Sequence, residues 1–410
     1  MTTDGLPDDA GETVRFAARW LAIEPTDVPG DVRDATARII ADCLACAIAA
    51  FDTEPARAVI AHRRQLGGAN QSTIVVDGDR LSCAAAAYVN TQLVNILDAD
   101  ETLLNFSHIA STIVMPAIAV GEMTSATGAD VVAAVAVGFE VASRIGLALP
   151  NYAIADGAMV VAPSRGFSWA AFGTAAATAR LLGLDAHQLA TAFAIVMSTT
   201  PVHGCLERFR TDIGQWHKAA MYGAIAEAGV SAALLAQHGF RADETVLDRD
   251  SSWFRSFGAT EWFPEALWAD HGGRWLIAET SIKPYPFCRY AHGAIDAFDS
   301  IIRTSDLTAA EIEEVIVTTP PFAFLQSIID APWPTDVMAI ASSLPYAFAM
   351  VGARVPPGPA WWDAEQLDAD SRRLATRVRS AVDQSLGPVM TEQIRTEGFF
   401  RRLPLTVQVR

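Results

Sequence analysis

Residues 129–148 read ADVVAAVAVGFEVASRIGLA, and their apolar side chains recur at three- and four-residue spacing. That spacing is the period of one face of an α-helix. Gly183 and Gly239 follow two further runs of this kind and are typical of helix C-termini. The sequence therefore predicts a large, mostly α-helical domain from about residue 10 to residue 240. The other helical runs are 32–51, 84–97, 114–123, 172–182 and 223–238.

The pattern changes after a stretch rich in Trp and Gly at residues 262–275. Beyond it, helical spacing alternates with short β-branched runs, which predicts a small α/β or α+β domain. We expect a large helical domain at residues 1–270 and a smaller domain at residues 271–410, with the boundary near residues 265–280. The second part contains the helical runs 291–302 and 335–351 and the strand-like runs 315–318 and 405–409.

Composition limits the classes of partner. The 410-residue chain has a formal net charge of −17, which argues against nucleic acid or an anionic membrane as a partner. Its apolar runs are shorter than the roughly 18 residues that a membrane-spanning helix needs. The acidic N-terminus has no signal-peptide pattern, so we expect a cytoplasmic protein. The five cysteines, including Cys43 and Cys46 within one helical run, indicate reduced thiols rather than disulfides or a metal site.

Lysine is rare in this chain. Lys218 and Lys283 are the two lysines among thirty basic residues, and the others are arginines. An ammonium is a compact point charge whose pKa shifts readily on burial, whereas a guanidinium stays charged and binds through a planar fork. Lys283 lies in SIKPYPFCRY (281–290), where two prolines stiffen the backbone around Tyr285. This setting favours a preorganised binding lysine; a solvated lysine in an interdomain linker is the alternative.

Two other groups of residues are candidates for a site. At helical spacing, Asn95, Asp98 and Thr102 share one face, and His108 precedes the next apolar helix, whose N-terminal dipole favours a neutral imidazole. The alternative is that the acidic residues cap a helix and His108 is a satisfied loop histidine. The second group, Arg208 with Lys218, could bind carboxylates. Surface salt bridges are its alternative interpretation.

The motifs of several enzyme classes are absent. The sequence contains no H-E-x-x-H, no paired C-x-x-C, no G-x-x-x-x-G-K-[ST], no G-x-S-x-G and no G-x-G-x-x-G. Zinc protease, P-loop, serine hydrolase and dinucleotide-binding functions therefore lose their usual sequence support.

The candidate segments together resemble the MmgE/PrpD family, which includes 2-methylcitrate dehydratase, cis-aconitate decarboxylase and iminodisuccinate epimerase. Residues 97–102, LDADET, with His108 resemble the family's LDxDDT followed by HPS. Residues 138–146, GFEVASRIG, are similar to GYEVxxRIG, and residues 283–292, KPYPFCRYAH, resemble KPYPxCRxxH, the most specific signature. Trp216-His217-Lys218 stands where the family has its other lysine. The resemblance covers most of the chain.

This resemblance implies a large all-α domain, a smaller α/β lid domain, a cleft between them and a homodimer. It also implies chemistry without a cofactor or a metal on small di- or tricarboxylates, beginning with proton removal beside a carboxylate. His108 would be the general acid or base and Asp98 would orient it, while Lys218 and Lys283 would hold carboxylates and stabilise the aci-carboxylate. The expected substrate-binding residues are Thr102, Ser168, Arg208, Tyr285 and Arg289.

Three departures from the family pattern bear on the reaction. Ser168 stands where the family commonly has a catalytic histidine, Ile109 replaces the proline of HPS, and the chain ends at the strand 405–409, where relatives continue into helices. We expect a lyase, and first a 2-methylcitrate dehydratase-like hydro-lyase. A decarboxylase or an epimerase of the same family is the near alternative, and a non-catalytic binding or scaffold protein is the alternative of another class.

Overall fold

The computed structural model of the chain describes residues 10–103, 107–150, 152–156, 158–161, 167–200, 217–270, 273–331, 333–334, 337–397, 399 and 401–410. Within these residues the protein is mostly α-helical with a smaller part built on a mixed β-sheet, which confirms the predicted fold class. No helix in the described ranges is long and apolar enough to cross a membrane.

The large helical part is built from α1 to α9 and two short antiparallel hairpins. Gly183 (φ 68°) ends α7 and Gly239 (φ 82°) follows α9, as the sequence predicts. The helices are α1 (Glu12–Leu21), α2 (Gly30–Ala50), α3 (Glu54–Leu66), α4 (Cys83–Asn95), α5 (Ala110–Thr124), α6 (Gly128–Leu147), α7 (Ala170–Leu182), α8 (Ala186–Thr199) and α9 (His217–Gln237). The hairpins pair β1 (Ser72–Thr73) with β2 (Arg80–Leu81), and β3 (Tyr152–Ala155) with β4 (Ala158–Val161).

Small side chains allow the central helices to approach closely. In α6 every residue from 133 to 146 is buried, so the helix lies inside the domain rather than on its surface. A Cβ atom added at Gly138 would lie 2.6 Å from the Gly173 carbonyl oxygen of α7 and 2.9 Å from the Ala177 Cβ. Real Cβ atoms do not approach other atoms so closely. The crossing of α6 and α7 therefore depends on glycine at this position.

The smaller part surrounds a three-stranded sheet in the order β6–β5–β7. Its centre, β5 (Val315–Thr319), is parallel to β6 (Val378–Val382) and antiparallel to β7 (Thr406–Val409). Alternate residues of β5 are buried, as expected for a strand with one face on a core. The helices after the large part are α10 (Glu265–Trp268), α11 (His292–Thr304), α12 (Ala323–Ile329), α13 (Val337–Ile340), α14 (Leu344–Gly352), α15 (Ala369–Ala375) and α16 (Gly387–Glu397).

Several elements of the smaller part differ from the sequence prediction, and α12, α15 and α16 were not predicted. The prediction of a single helix at 335–351 is wrong over the described residues of that range, because α13 and α14 are separate helices. Ser343 accepts a hydrogen bond from the Tyr346 amide and Pro345 lies in the first turn of α14, so a new helix begins there. The strand β6 was not predicted, because the exposed Arg379 and the half-buried Ser380 interrupt its apolar alternation.

The hairpin of β3 and β4 connects the two parts. The Tyr152 hydroxyl lies 2.8 Å from that of Tyr290, and the Met159 amide donates to the Thr391 hydroxyl of α16 at 3.2 Å. Tyr152 belongs to the apolar core of the smaller part. A segment that lies early in the chain thus packs on the second core, and the predicted boundary near residues 265–280 stays a prediction.

Replacing Gly138 with alanine should destabilise the protein. The new methyl group would overlap the Gly173 carbonyl and separate α6 from α7, and overpacking of this kind typically costs about 1–3 kcal/mol. The measurement is the free energy of unfolding in urea. Gly128→Ala is the matched control, because Gly128 begins the same helix and has open space around it. Equal stability of the two variants would contradict the proposed steric role of Gly138.

Candidate active site

The site is centred on an ion pair between the two parts of the chain. The Lys283 Nζ lies 3.0 Å from the Asp98 Oδ1 and 2.5 Å from the Asp98 carbonyl oxygen. The Lys283 side chain is 0 % exposed, so its charge depends on these partners. Burial alone would lower the pKa of Lys283, but Asp98 and Asp100 outweigh it and raise the pKa above its usual value. Lys283 is therefore an ammonium ion at neutral pH.

Backbone conformation explains how one aspartate supplies two oxygens. The helix α4 ends at Asn95, and Asp98 follows in the left-handed region with φ 51°, which aspartate tolerates better than most residues. The prediction that Asn95, Asp98 and Thr102 share one helical face is therefore wrong. Asp98 lies after the helix, and Thr102 forms a two-way backbone bridge with Ser281, at 2.9 and 3.0 Å. This bridge places Lys283, two residues later, against Asp98.

The tautomer of His108 follows from its partner. Its Nδ1 lies 2.6 Å from the Glu101 carbonyl oxygen, which can only accept, so Nδ1 carries the hydrogen. In the neutral ring the Nε2 atom then holds the lone pair, and it lies 4.0 Å from the Asp98 Oδ1. The Phe167 ring meets His108 edge to face at 6.1 Å between centroids. The imidazole is thus oriented as a proton acceptor beside the ion pair.

Glu101 fixes the start of the helix that follows His108. Its Oε1 accepts hydrogen bonds from the amides of Ile109 (2.7 Å) and Ala110 (2.8 Å) at the N-terminus of α5. A proline at position 109 would have no amide hydrogen, so the first of these bonds requires a residue other than proline, here Ile109. This role of Glu101 was not predicted from the sequence. An acidic residue shortly before a helix N-terminus was the available signal.

Buried carboxyl groups surround the ion pair. Burial, reinforced by Asp100, raises the pKa of Glu101 to about 8. Burial and Asp100 likewise raise the pKa of Asp42, on α2, to about 7, although Lys283 opposes the shift. The Asp100 carboxylate accepts a hydrogen bond from the side-chain amide of Asn95 at 2.8 Å. The cluster therefore holds protons at neutral pH. Asp42 was also missed, and its signal was a single carboxylate in the otherwise apolar run 39–48.

A divalent cation is the other use that these side chains suggest. Asp98, Asp100 and His108 offer ligand atoms within 4.8 Å of one another. However, the Asp98 Oδ1 is already bound by the Lys283 ammonium. A metal ion there would place a second positive charge against a buried lysine, where the repulsion is poorly screened. Lys283 supplies the positive charge at Asp98, and the expected absence of a metal stays a prediction.

Arg289 brings a second cation to the same junction. One of its terminal nitrogens lies 3.4 Å from the Ser281 Oγ, and the other lies 3.3 Å from the His292 Nδ1. The His292 Nε2 is 3.0 Å from the Phe287 carbonyl oxygen, so Nε2 carries the hydrogen and Nδ1 accepts. Burial, with Lys283 and Arg289, lowers the pKa of His292 to about 3. The neutral His292 therefore orients Arg289 at physiological pH.

The other predicted site residues differ in where their side chains lie. The Thr102 Oγ1 is buried and makes no hydrogen bond within the described part of the chain, so it can bind a ligand. Ser168 is buried in the turn before α7. Tyr285 donates to Asp296 at 2.7 Å and stacks on Trp361, contacts within the smaller part. Lys218 lies in the first turn of α9 with its side chain outside the described residues, and Arg208 lies outside them altogether.

The fold and the site define a two-domain protein with a buried lysine at the domain junction. The chain belongs to the MmgE/PrpD family. The MmgE/PrpD N-terminal domain matches residues 14–265 and the MmgE/PrpD C-terminal domain matches residues 285–397, which confirms the resemblance noted from the motifs.

Curated relatives of the chain include fungal decarboxylases. The chain is 25% identical over 292 residues to cis-aconitate decarboxylase of Aspergillus terreus, a match that covers 67% of this chain and 57% of that protein. It is 24% identical over 324 residues to cis-aconitate decarboxylase-like protein oryM of Aspergillus oryzae (strain ATCC 42149 / RIB 40), covering 73% and 63%. The matches thus span less than two thirds of the length of these relatives.

Replacing Asp42 with asparagine should weaken the pH dependence of stability. The pKa of Asp42 is 3.8 in the unfolded reference and about 7 in the fold, so the folded state binds more protons between these values. Its contribution is therefore complete below pH 3.8 and is lost as the pH rises through 7. In the wild type the free energy of unfolding should fall between pH 5 and pH 8. In Asp42→Asn this fall should be smaller by about 1–2 kcal/mol, a value reduced to allow for the partial exposure of Asp42.

The measurement is urea unfolding at both pH values. Asp34→Asn, at an exposed position of the same helix, is the control and should follow the wild type. Glu140, whose pKa is also raised, is present in all three proteins and cancels in the comparison. Asp42 helps to raise the pKa of Glu101, so its replacement lowers that pKa and weakens the pH dependence in the same direction. Parallel pH profiles for wild type and Asp42→Asn would disprove the buried-proton interpretation.

Proposed function

We propose that this protein is a cofactor-independent lyase that acts on a small di- or tricarboxylate by proton transfer at the carbon beside a carboxylate. The observation that carries the proposal is the fully buried, charged Lys283 held by Asp98 next to His108, whose tautomer is fixed by Glu101. A buried cation is favourable only where negative charge is present or develops. A carbanion that delocalises into a carboxylate develops such charge.

The proposed first step uses His108 and Lys283. The His108 Nε2 accepts the proton from the carbon beside the carboxylate, and the electron pair of the broken C–H bond moves into that carboxylate. The resulting aci-carboxylate carries an additional negative charge on its oxygens. Two of the three N–H donors of Lys283 contact Asp98, and the ammonium charge stabilises the developing dianion in a poorly solvated site.

Substrate carboxylates would be held by the remaining polar groups. Thr102 offers a buried hydroxyl, and Arg289, oriented by His292, offers a guanidinium for a second carboxylate. On the family pattern we assign Arg208 and Ser168 to substrate binding, and Lys218 to holding a carboxylate and stabilising the aci-carboxylate. Tyr285 supports the site indirectly. Its described contacts are with Asp296, His292 and Trp361, and they fix the segment that carries Lys283.

Dehydration of a hydroxy acid, as in 2-methylcitrate dehydratase, is the first candidate reaction. After proton removal, the electron pair forms a carbon–carbon double bond and the hydroxyl on the neighbouring carbon leaves as water. The leaving hydroxyl needs a proton donor as well as the base that starts the reaction. Here the histidinium formed at His108 returns the abstracted proton to that hydroxyl, because serine at position 168 replaces the family histidine that would serve as a separate acid.

Decarboxylation is the second candidate, and the names of the two fungal relatives favour it. In this reaction His108 first takes a proton from water at Nε2 and enters as histidinium. The carbon–carbon bond to a carboxylate then breaks, carbon dioxide leaves, and the electron pair takes that proton from His108. This reaction needs a proton donor but no separate acid for a hydroxyl. It is therefore compatible with serine at position 168. Epimerisation, in which the same carbon loses and regains a proton, uses the same groups.

A homodimer, a cytoplasmic location and the absence of nucleic-acid and membrane partners accompany this proposal as expectations. The net charge of −17 supports the exclusion of nucleic acid. A binding or scaffold protein with this fold is the competing function. It would retain the fold but transfer no proton.

The decisive experiment is proton NMR in heavy water with a panel of 2-methylcitrate, citrate, cis-aconitate, citramalate and malate. We expect at least one acid to lose water, lose carbon dioxide or take up deuterium, which identifies a dehydratase, a decarboxylase or an epimerase. His108→Asn is the matched negative control, because the asparagine amide can still donate to the Glu101 carbonyl but offers no base. It should lower the rate by about 100- to 10,000-fold. No exchange with any acid would favour the scaffold function.

Replacing Lys283 with arginine should abolish the activity although the charge is kept. The planar guanidinium is larger than the ammonium and cannot place one donor between the carbonyl and carboxylate oxygens of Asp98. The rate of deuterium uptake should fall at least about 100-fold, as misplaced catalytic groups do. Arg64→Lys, in an exposed salt bridge to Asp77, is the control and should be unchanged. Full activity of Lys283→Arg would exclude the role assigned to the lysine.

A further inference from the structure

The segment that joins the two parts of the chain is held by one buried ion pair of α6. The Nη1 atom of Arg144 donates to the carbonyl oxygens of Ala269 (2.6 Å) and Leu267 (3.3 Å). Its Nε lies 3.2 Å from the Glu140 Oε2, one helical turn earlier. Arg144 is 3% exposed and Glu140 is 0% exposed. The arginine thus fixes the beginning of the connecting segment.

Glu140 fixes the end of the same segment. Its Oε1 accepts a hydrogen bond from the Leu276 amide. The ring of Trp275 packs edge to face on Trp20 at 5.7 Å, and the Arg144 guanidinium lies 5.0 Å from the centroid of that Trp20 ring. Carbonyl, amide and indole contacts therefore all converge on one glutamate–arginine pair. The described residues on either side of this connection, 267–270 and 273–277, are thus anchored to the core of the helical part.

Lys283 follows this anchor after a short stretch of chain. Six residues lie between Leu276 and Lys283, and one of them, Ser281, forms the backbone bridge with Thr102. A chain of this length has little freedom to absorb a displacement at its start. A shift of about 1 Å in a catalytic group can reduce a rate by about 100-fold. The position of the anchor consequently affects how the ammonium meets Asp98.

Stability alone does not explain why α6 has a glutamate at position 140 and an arginine at position 144. Replacing a buried ion pair with apolar side chains of similar volume is often neutral or stabilising, so the pair is poor evidence for stability alone. Its geometry does something that apolar side chains cannot do, because it gives hydrogen-bond partners to three backbone groups of the connecting segment. The pair therefore holds a particular backbone conformation.

We propose that Glu140 and Arg144 are positioning residues for Lys283, which fix the connecting segment so that the ammonium lies between the carbonyl and carboxylate oxygens of Asp98. The importance of this position for catalysis rests on the proposed function. The positioning itself does not, and it can be measured without an enzyme assay. It also gives a role to the segment GFEVASRIG, which lies away from the reacting groups.

The experiment measures the reactivity of Lys283 toward acetic anhydride at pH 8, with mass spectrometry of the labelled peptides. Burial raises the pKa of Glu140 to about 7, against the opposing effect of Arg144, so the carboxylate is ionised at pH 8. The chain has two lysines, which makes the labelled sites easy to assign. In Glu140→Gln we expect Lys283 to be acetylated about tenfold faster than in wild type, and the amides of 276–283 to exchange hydrogen about tenfold faster.

Glu227→Gln is the matched control. Glu227 of α9 forms a two-pronged ion pair with Arg63 of α3, at 2.6 and 2.8 Å, and this pair makes no hydrogen bond to the described residues of the connecting segment. Its loss should leave the acetylation rate of Lys283 unchanged. If both variants expose Lys283 equally, the effect is general destabilisation and the proposal is wrong. Unchanged protection of Lys283 in Glu140→Gln would also overturn it.

Arg144→Lys is the second variant, for the case that Glu140→Gln does not fold. The lysine keeps the charge opposite Glu140 but cannot reach both carbonyl oxygens, so Lys283 should again react faster. If neither variant folds, the pair serves the whole fold and the positioning role is rejected. If Lys283 reacts faster while the wild type transfers no proton in any assay, the positioning holds and the proposed function fails.

Discussion

The structure depends on the burial of one ammonium group. A lysine that is fully removed from water is tolerated only when its charge is compensated and its donors are bonded. Lys283 finds both in Asp98, whose left-handed backbone presents a carbonyl and a carboxylate oxygen to the same nitrogen. These two residues come from opposite sides of the domain junction. Their pairing therefore brings the two parts of the chain together at the point where chemistry is expected.

The buried carboxyl groups around Lys283 also determine the setting of His108. Four acidic residues lie around one described lysine, and a buried cluster of that kind cannot ionise completely. The raised pKa values of Glu101 and Asp42 express this limit. Glu101 also caps α5 through its side chain and holds His108 through its carbonyl. The residue that stores a proton is thus also the residue that sets the tautomer of His108.

Sequence reasoning reached the helices and several site residues but not their spatial relations. Periodicity and Gly183 predicted helices because both signals are local, and the rarity of lysine directed attention to Lys283. Asp42 was missed because its neighbours in sequence are apolar and its partners lie in distant segments. The shared helical face expected for Asp98 and Thr102 failed because α4 ends at Asn95. Sequence spacing could not predict the backbone bridge between Thr102 and Ser281, which holds Thr102 where a helix was expected.

The segment GFEVASRIG shows how packing and chemistry are joined in one helix. Gly138 allows α6 to approach α7, and Gly146 leaves room for the Trp169 ring, the residue after Ser168. Between these glycines, Glu140 and Arg144 reach the connecting segment. A side chain at either glycine would move the helix that carries the pair. The close helix crossing and the position of Lys283 are therefore linked, because both depend on where α6 lies in the core.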